Sequence, residues 1–344
     1  MNDGFSRVVI LAPNWLGDVV MALPAIADVR RRFPAARLTV AARRSVADVF
    51  TLISFVDRLV LLEWGGRWWQ RGRLEADVAR LREVEAELAI LLPNSFASAW
   101  LVTRAAIRER WGYAADLRRP LLTRAVPRPG GSMHQGAYYQ HLTRELGIDS
   151  GPLEPVLRVP DAVTAAARRF LAERGWQGSR PVVVFAPGAA YGTAKRWIPA
   201  SVAQVASTLV RERGATCVLV GSHADRETTT QIRAALPEAA SAHVLDVTGE
   251  TTIASLAGVM GLAAACVSND SGAMHVAAAV GAPLVAVFGP TNEYETSPLA
   301  REGCRAVVLT HPVWCRPCML RECPIDHRCM TGLTPERVYG ALCS

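Results

Sequence analysis

Residues 181–197, PVVVFAPGAAYGTAKRW, decide the fold. The first six form an apolar, β-branched run closed by Pro187 and Gly188, which is the pattern of a fully buried strand. A polar loop carrying Gly192 follows, and residues 199–213 then read as a helix. The same succession opens the chain. Residues 7–12 (RVVILA) read as a strand, Pro13-Asn14-Trp15-Leu16-Gly17-Asp18 as a turn, and residues 19–32 as a helix ending before Phe33-Pro34. Further strands are predicted at 37–41, 59–62 and 88–92 in the first half. In the second half they fall at 216–220, 265–268 and 283–288, with a helix from Ser271 to Val280. Strands separated by helices imply parallel pairing and an α/β fold. The halves repeat an architecture without repeating a sequence. The segment 148–180, with Gly151, Pro152, Pro155 and Pro160, is the expected linker between domains at 1–165 and 166–344. Two doubly wound, Rossmann-like domains facing each other would bring the carboxyl ends of both sheets to one cleft, where such sheets bind ligands.

A chain of 344 residues, half of them hydrophobic and a fifth charged, is neither disordered nor short of core-forming residues. The formal charge of +7 and pI near 9.2 point to an anionic partner: nucleic acid, a phosphorylated lipid or a nucleotide-linked substrate. Of the 38 basic residues only Lys195 is a lysine. Where arginine fills every other basic position, that ammonium is either a chance survivor or marks a site needing a compact point charge. No apolar run reaches the ~20 residues of a membrane helix. The N-terminal apolar run is interrupted by Asp18 and has no basic lead, so it does not read as a signal peptide. The expected setting is the cytoplasm, with reduced thiols.

Three strand–helix junctions carry chemistry. In the first, Lys195 stands beside Gly188, Gly192 and Thr193, where close backbone approach and a helix N-terminus suit an anion such as a diphosphate. A cation there opposes the helix dipole unless an anion lies between. The Gly-Lys-Ser/Thr order of a Walker A loop is absent. In the second, Ser268-Asn269-Asp270-Ser271-Gly272-Ala273-Met274-His275, either Asp270 or Ser271 can cap the following helix. The amides of Ser271 and Gly272 can meet phosphate oxygens, and His275 lies about one turn on, as a ligand contact or as a core histidine. In the third, Asp18 sits at the first strand–helix turn, as a cap or as a general base for an acceptor hydroxyl. The loop Gly289-Pro290-Thr291-Asn292 follows the last predicted strand at the same edge.

Taken together, these blocks resemble glycosyltransferase family 9, the ADP-heptose:lipopolysaccharide heptosyltransferases, and most of all its heptosyltransferase II branch. The resemblance rests on Asn14-Trp15-Leu16-Gly17-Asp18 with Met21, on Pro187-Gly188-Ala189 through Lys195-Arg196-Trp197, on Asn269-Asp270-Ser271-Gly272-Ala273-Met274-His275 with the alanine run behind it, and on Phe288-Gly289-Pro290-Thr291. It implies a GT-B fold and an inverting, metal-independent transfer of heptose from ADP-heptose to a hydroxyl of the lipid-linked inner-core saccharide, with no cofactor and no nucleic-acid partner. It implies Asp18 as general base and Lys195 as the group that neutralises the departing ADP. It places Asp270, Ser271, Gly272 and His275 at the diphosphate, Asp225 at the ribose, and Thr248 and Glu250 in the loop facing the adenine. Ala190 and Tyr191 stand where some relatives present hydroxyls, so backbone amides carry more of the phosphate binding here. The competing expectations are a transferase, epimerase or hydrolase of the same fold acting on another nucleotide sugar, and an arginine-rich nucleic-acid-binding protein.

Two segments lie outside this scheme. Residues 64–73, WGGRWWQRGR, mix three tryptophans with three arginines. They fit peripheral contact with the anionic leaflet of the inner membrane, a cradle for acidic sugars, or core tryptophans beside a solvated basic face. Cys315, Cys318, Cys323 and Cys329, near His311 and His327, have spacings that suit a structural zinc or reduced packing thiols.

Overall fold

The computed structural model describes residues 4–343. They form two compact units that divide between Pro155 and Val156. The first contains six strands, β1 (Arg7–Leu11), β2 (Arg37–Arg43), β3 (Arg58–Leu62), β4 (Leu88–Leu91), β5 (Glu109–Tyr113) and β6 (Arg124–Val126). The second contains β7 (Val182–Ala186), β8 (Thr216–Leu219), β9 (Val244–Asp246), β10 (Ala263–Asn269), β11 (Leu284–Phe288) and β12 (Ala306–Thr310). The spatial orders are 3-2-1-4-5-6 and 12-11-10-7-8-9, and each strand pairs parallel to its neighbours. Counted within its own unit, the second sheet repeats the order of the first. Each unit therefore has one place where the strand order reverses, between β1 and β4 and between β7 and β10. Ligands of doubly wound sheets bind outside the carboxyl ends of the strands at that place.

The central strands are largely apolar because helices cover both faces, polar residues entering at the carboxyl end of β10. Val8, Val9 and Ile10 of β1, Val184 of β7 and Ala286 and Val287 of β11 are fully buried. Each large aliphatic group so removed from water contributes roughly 1.5–3 kcal/mol before entropy is subtracted. Four strands were not predicted. Glu109-Arg110-Trp111-Gly112-Tyr113 is broken by charge and glycine. β6 and β9 have only three residues each, and β12 is a half-buried edge. The helix Leu16–Arg32 starts three residues earlier than the sequence suggests and continues through Pro24. Asp18 lies in its first turn and Arg30–Arg32 in its last, both favourable to the helix dipole.

The division of the chain falls ten residues before the one predicted at 165/166. Residues 156–172 go with the second unit for two reasons. Leu157 N–H donates to Ala279 at 2.9 Å. The helix Asp161–Ala172 packs on the helix Ile253–Gly261, where a methyl group at Gly258 would lie 3.1 Å from both Ala167 and Val163.

In the first unit the long connection after β3 is fixed by one buried carboxylate. Asp77, on the helix Arg71–Arg82, accepts from the amides of Glu63 (2.9 Å) and Trp64 (2.8 Å) and pairs with Arg80 (2.7 Å). Trp64 is in the core, and its indole N–H donates to Arg67 O at 3.0 Å. Asp77→Ala would leave two amides without their acceptor and Arg80 with only Glu63 as its carboxylate partner. Urea denaturation should show a loss of about 2–4 kcal/mol, and an unchanged midpoint would remove this role from Asp77.

Candidate functional site

Lys195 and Asp270 stand on either side of the reversal point of the second sheet. Lys195 closes a short 3-10 turn, Thr193–Lys195, after β7, and Asp270 directly follows β10. Lys195 Nζ lies 2.6 Å from Asp270 Oδ2, and both side chains are largely buried. Thr291 Oγ1 donates to the same carboxylate oxygen at 2.6 Å. The Tyr191 ring centroid lies 4.9 Å from the ammonium. An ammonium has three hydrogens. Asp270 takes one, and among the described residues no other protein group accepts from Lys195.

Asn269 makes this geometry possible. Its Nδ2 donates to Pro187 O at 2.6 Å and its Oδ1 accepts from Trp197 N–H at 3.2 Å, so one buried amide ties both ends of the 187–197 loop to the end of β10. The sequence shows Asn269 only as part of a motif. Its latch role needs the parallel pairing of β7 with β10, which no local pattern reveals.

The helix Gly272–Val280 begins beside the pair. Its N-cap is Ser271, whose side chain caps nothing and lies 3.2 Å from the Ser268 hydroxyl. Asp270 is not the cap either; its Oδ2 accepts from both Lys195 and Thr291. The amides of Ser271 and Gly272 donate to no protein acceptor among the described residues. They present partial positive charge beside the ammonium. His275 is buried one turn in.

The expectation that Gly188 and Gly192 open the backbone to a ligand is corrected by their neighbours. A methyl group at Gly188 would lie 2.3 Å from Asp225 Cγ, and one at Gly192 would lie 2.2 Å from Arg321 O. Both glycines admit protein. Asp225 itself is buried. Its Oδ2 accepts from Ser222 N–H (2.9 Å) and Ser222 Oγ (2.7 Å), and Oδ1 faces Arg196 at 3.9 Å. Thr248 is buried with its hydroxyl unpartnered, while Glu250 pairs with Arg174 at 2.6 Å. Gly249 N–H donates to Gly221 O at 2.8 Å, which joins the β8 and β9 loops. Thr193 is exposed on the turn before Lys195. The predicted donor residues thus run along the carboxyl ends of β10, β7, β8 and β9 in that spatial order.

Residues 315–329 form a strap over the same edge. Arg316 donates to Gly289 O (2.6 Å) and Thr291 O (3.0 Å), and Met319 N–H to Pro290 O (3.0 Å). Tyr191 Oη donates to Met319 O (2.7 Å), Ala194 N–H to Arg321 O (2.9 Å), and His327 Nε2 lies 2.6 Å from Ala194 O. The strap therefore braces both Lys195 and Thr291. Cys315, Cys318, Cys323 and Cys329 line one cavity with His327. Among the described residues, however, no three His, Cys, Asp or Glu side chains stand in a metal-holding arrangement. Burial and the neighbouring sulfurs push the Cys329 thiol above its ordinary pKa.

In the first unit Asp18 follows β1 at that sheet's reversal point. Tyr139, on the helix Gln135–Glu145, donates to Asp18 Oδ1 at 3.3 Å. Burial, reinforced by the Asp18 charge, holds the Tyr139 phenol well above its ordinary pKa, so it stays protonated as a donor. Tyr139 was not predicted, since 121 residues separate it from Asp18. Nearby, Asn14 Oδ1 accepts from Arg43 Nε at 2.7 Å.

Gly188→Ala must displace the Asp225 carboxylate. A cost of about 1–3 kcal/mol is expected from overpacking. Gly340→Ala is the control, because nothing lies within 4 Å of the added methyl group. Equal melting temperatures for the two variants would contradict the close approach.

Sequence and structure comparisons bear on this arrangement. The profile of "Glycosyltransferase family 9 (heptosyltransferase)" matches residues 77–328. Lipooligosaccharide heptosyltransferase 2 of Haemophilus influenzae is 31% identical over 86% of each chain. Lipopolysaccharide heptosyltransferase 2 of Escherichia coli K12 is 29% identical over 98% of this chain and 97% of its own. The solved structure of E. coli ADP-heptose lps heptosyltransferase II superposes with a TM-score of 0.83 at 28% identity, covering 98% of this chain and 97% of that one. The two six-stranded parallel sheets therefore have the GT-B architecture of these enzymes, and the chain belongs to glycosyltransferase family 9, the heptosyltransferases.

Proposed function

We propose that this protein transfers heptose from ADP-heptose to a hydroxyl of the lipopolysaccharide inner core by a single inverting displacement, at the cytoplasmic face of the inner membrane. The observation that carries the reading is Lys195. Its ammonium is fixed by Asp270, which Thr291 holds, keeps two hydrogens without protein acceptors among the described residues, and lies beside the open amides of Ser271 and Gly272. That is a receptor for a diphosphate. Asp270 at 2.6 Å offsets part of the lysine's charge. The helix amides are therefore needed to make the locus attractive to an anion. The positive charge that the leaving group requires is then supplied by protein groups.

In the reaction, the acceptor oxygen forms a bond to the anomeric carbon of the heptose as the bond from that carbon to the β-phosphate oxygen breaks. The acceptor proton passes to Asp18, which Tyr139 orients. The electron pair leaves on ADP, whose growing charge meets Lys195 and the two amides. Thr193 flanks the diphosphate through its backbone, His275 stands behind it, and Asp225, Thr248 and Glu250 lie toward the nucleoside. Inversion needs one base and no second carboxylate.

Asp18→Asn should lower kcat by about 10²–10⁴-fold while ADP-heptose binding, followed by calorimetry, stays unchanged. Undiminished turnover would exclude Asp18 as the base. Lys195→Ala should reduce kcat/KM by roughly 10²–10³-fold, measured as ADP release in the presence of a heptose-deficient core acceptor. Consumption of the donor without acceptor would favour a hydrolase or epimerase over this reading.

A further inference from the structure

Outside the two reversal points, the first unit carries an exposed apolar patch. Trp68 is 76% exposed, Trp69 58%, Phe96 44% and Leu117 91%. Single exposed hydrophobic residues are ordinary, but a contiguous group of them marks an interaction surface. These four are joined through their backbones. Gly66, just before the tryptophans, lies so near the helix Phe96–Arg104 that an added methyl group would stand 3.2 Å from Ala97 Cβ. Asp116 accepts from Phe96 N–H at 2.6 Å, which sets Leu117 beside Phe96.

The exposure of Leu117 is built into the fold. Asp116 and Leu117 both have positive φ, 46° and 56°, a strained backbone for residues of these types. The next residue, Arg118, is fully buried and anchors the loop. It donates to Tyr113 O at 2.9 Å, to Ser98 Oγ at 2.9 Å and to Pro93 O. A buried arginine on one side and a leucine held almost wholly in water on the other is an arrangement that folding alone does not call for.

The surrounding charge is one-sided. Arg67, Arg71, Arg73 and Arg119 are exposed and form no ion pair among the described residues. The nearby carboxylates are already engaged: Glu63 with Arg80, Glu75 with Arg104, and Asp116 with the Phe96 amide. Arg71 and Arg73 also sit in the first turn of the helix Arg71–Arg82, which holds no acidic residue and where the dipole disfavours cations. Unpaired cations at the positive end of a helix call for an external anion. Tryptophan beside arginine suits the boundary between headgroups and acyl chains.

We propose that this patch is a membrane-docking surface. Trp68, Trp69, Phe96 and Leu117 enter the headgroup boundary of an anionic bilayer, and Arg67, Arg71, Arg73 and Arg119 neutralise its lipid phosphates. The patch is built from loops after β3, β4 and β5, which leave the same sheet edge as the β1 loop carrying Asp18. The proposal deepens the reading above by naming the surface that meets the membrane, yet its test uses neither donor nor acceptor.

The test is sedimentation of the purified full-length protein with vesicles of phosphatidylglycerol and phosphatidylethanolamine, or of phosphatidylcholine alone, all without lipopolysaccharide. Binding to the anionic vesicles, weakening as salt rises, is expected. Trp68→Ser/Trp69→Ser and Arg71→Glu/Arg73→Glu should each bind about tenfold less or worse, with unchanged melting temperature and unchanged turnover on a water-soluble deacylated acceptor. No binding to anionic vesicles, or equal binding to both vesicle types or by the variants, would overturn the proposal. So would a matching loss of turnover on the soluble acceptor, which would make the patch a saccharide site, or self-association of the wild type that the variants lose, which would make it a dimer face. If vesicles bind as expected while no heptosyl transfer is found, the docking surface stands and the assigned reaction fails.

Discussion

The ammonium of Lys195, held 2.6 Å from a buried carboxylate, sets the requirements for much of the second unit. A compact cation kept largely out of water is stable only with a counter-charge in contact and its neighbours fixed. Asp270 supplies the charge, and Thr291 holds Asp270. Arg316 holds the Thr291 loop, and the strap that carries Arg316 also closes over the backbone of Ala194. The loops after β7, β10 and β11 are thereby connected. None of them could be reshaped without disturbing the ion pair.

The two units place opposite charges at the same point of one strand order. At the reversal point of the first sheet stands a carboxylate, Asp18, attended by a phenol that burial keeps protonated. At that of the second stands a cation beside helix amides that have no protein acceptor among the described residues. A duplicated parallel sheet offers the same position twice, and the side chains placed there decide what each copy binds. The proposed reaction gives proton acceptance to the first and anion stabilisation to the second.

How far the sequence reached depended on whether a feature is local. The interior strands β1, β4, β7, β10 and β11 are legible because burial on both faces demands unbroken apolar runs. β5 was hidden by Glu109, Arg110 and Gly112, and β6 and β9 are too short to show a period. β12, a half-buried edge, offers only the short apolar run Val307-Val308-Leu309. Lys195 and Asp270 are both conspicuous in the sequence, but their ion pair is not, because they stand 75 positions apart and only the pairing of β7 with β10 closes that distance. Tyr139 was missed for the same reason. Gly188 and Gly192 were noticed for the right property, the missing side chain, and given the wrong neighbour. The tryptophans of residues 64–73 divide between the alternatives open to them, with Trp64 in the core and Trp68 and Trp69 in water.

The Asn269 latch carries one more consequence. A single side-chain amide binds both ends of an eleven-residue loop to a central strand, using Pro187 O and Trp197 N–H. The loop is consequently ordered as part of folding, and a ligand arriving beside it has little chain entropy left to quench. Preorganisation of this kind moves the ordering cost from the encounter to the synthesis of the protein, where it is met once for every later turnover.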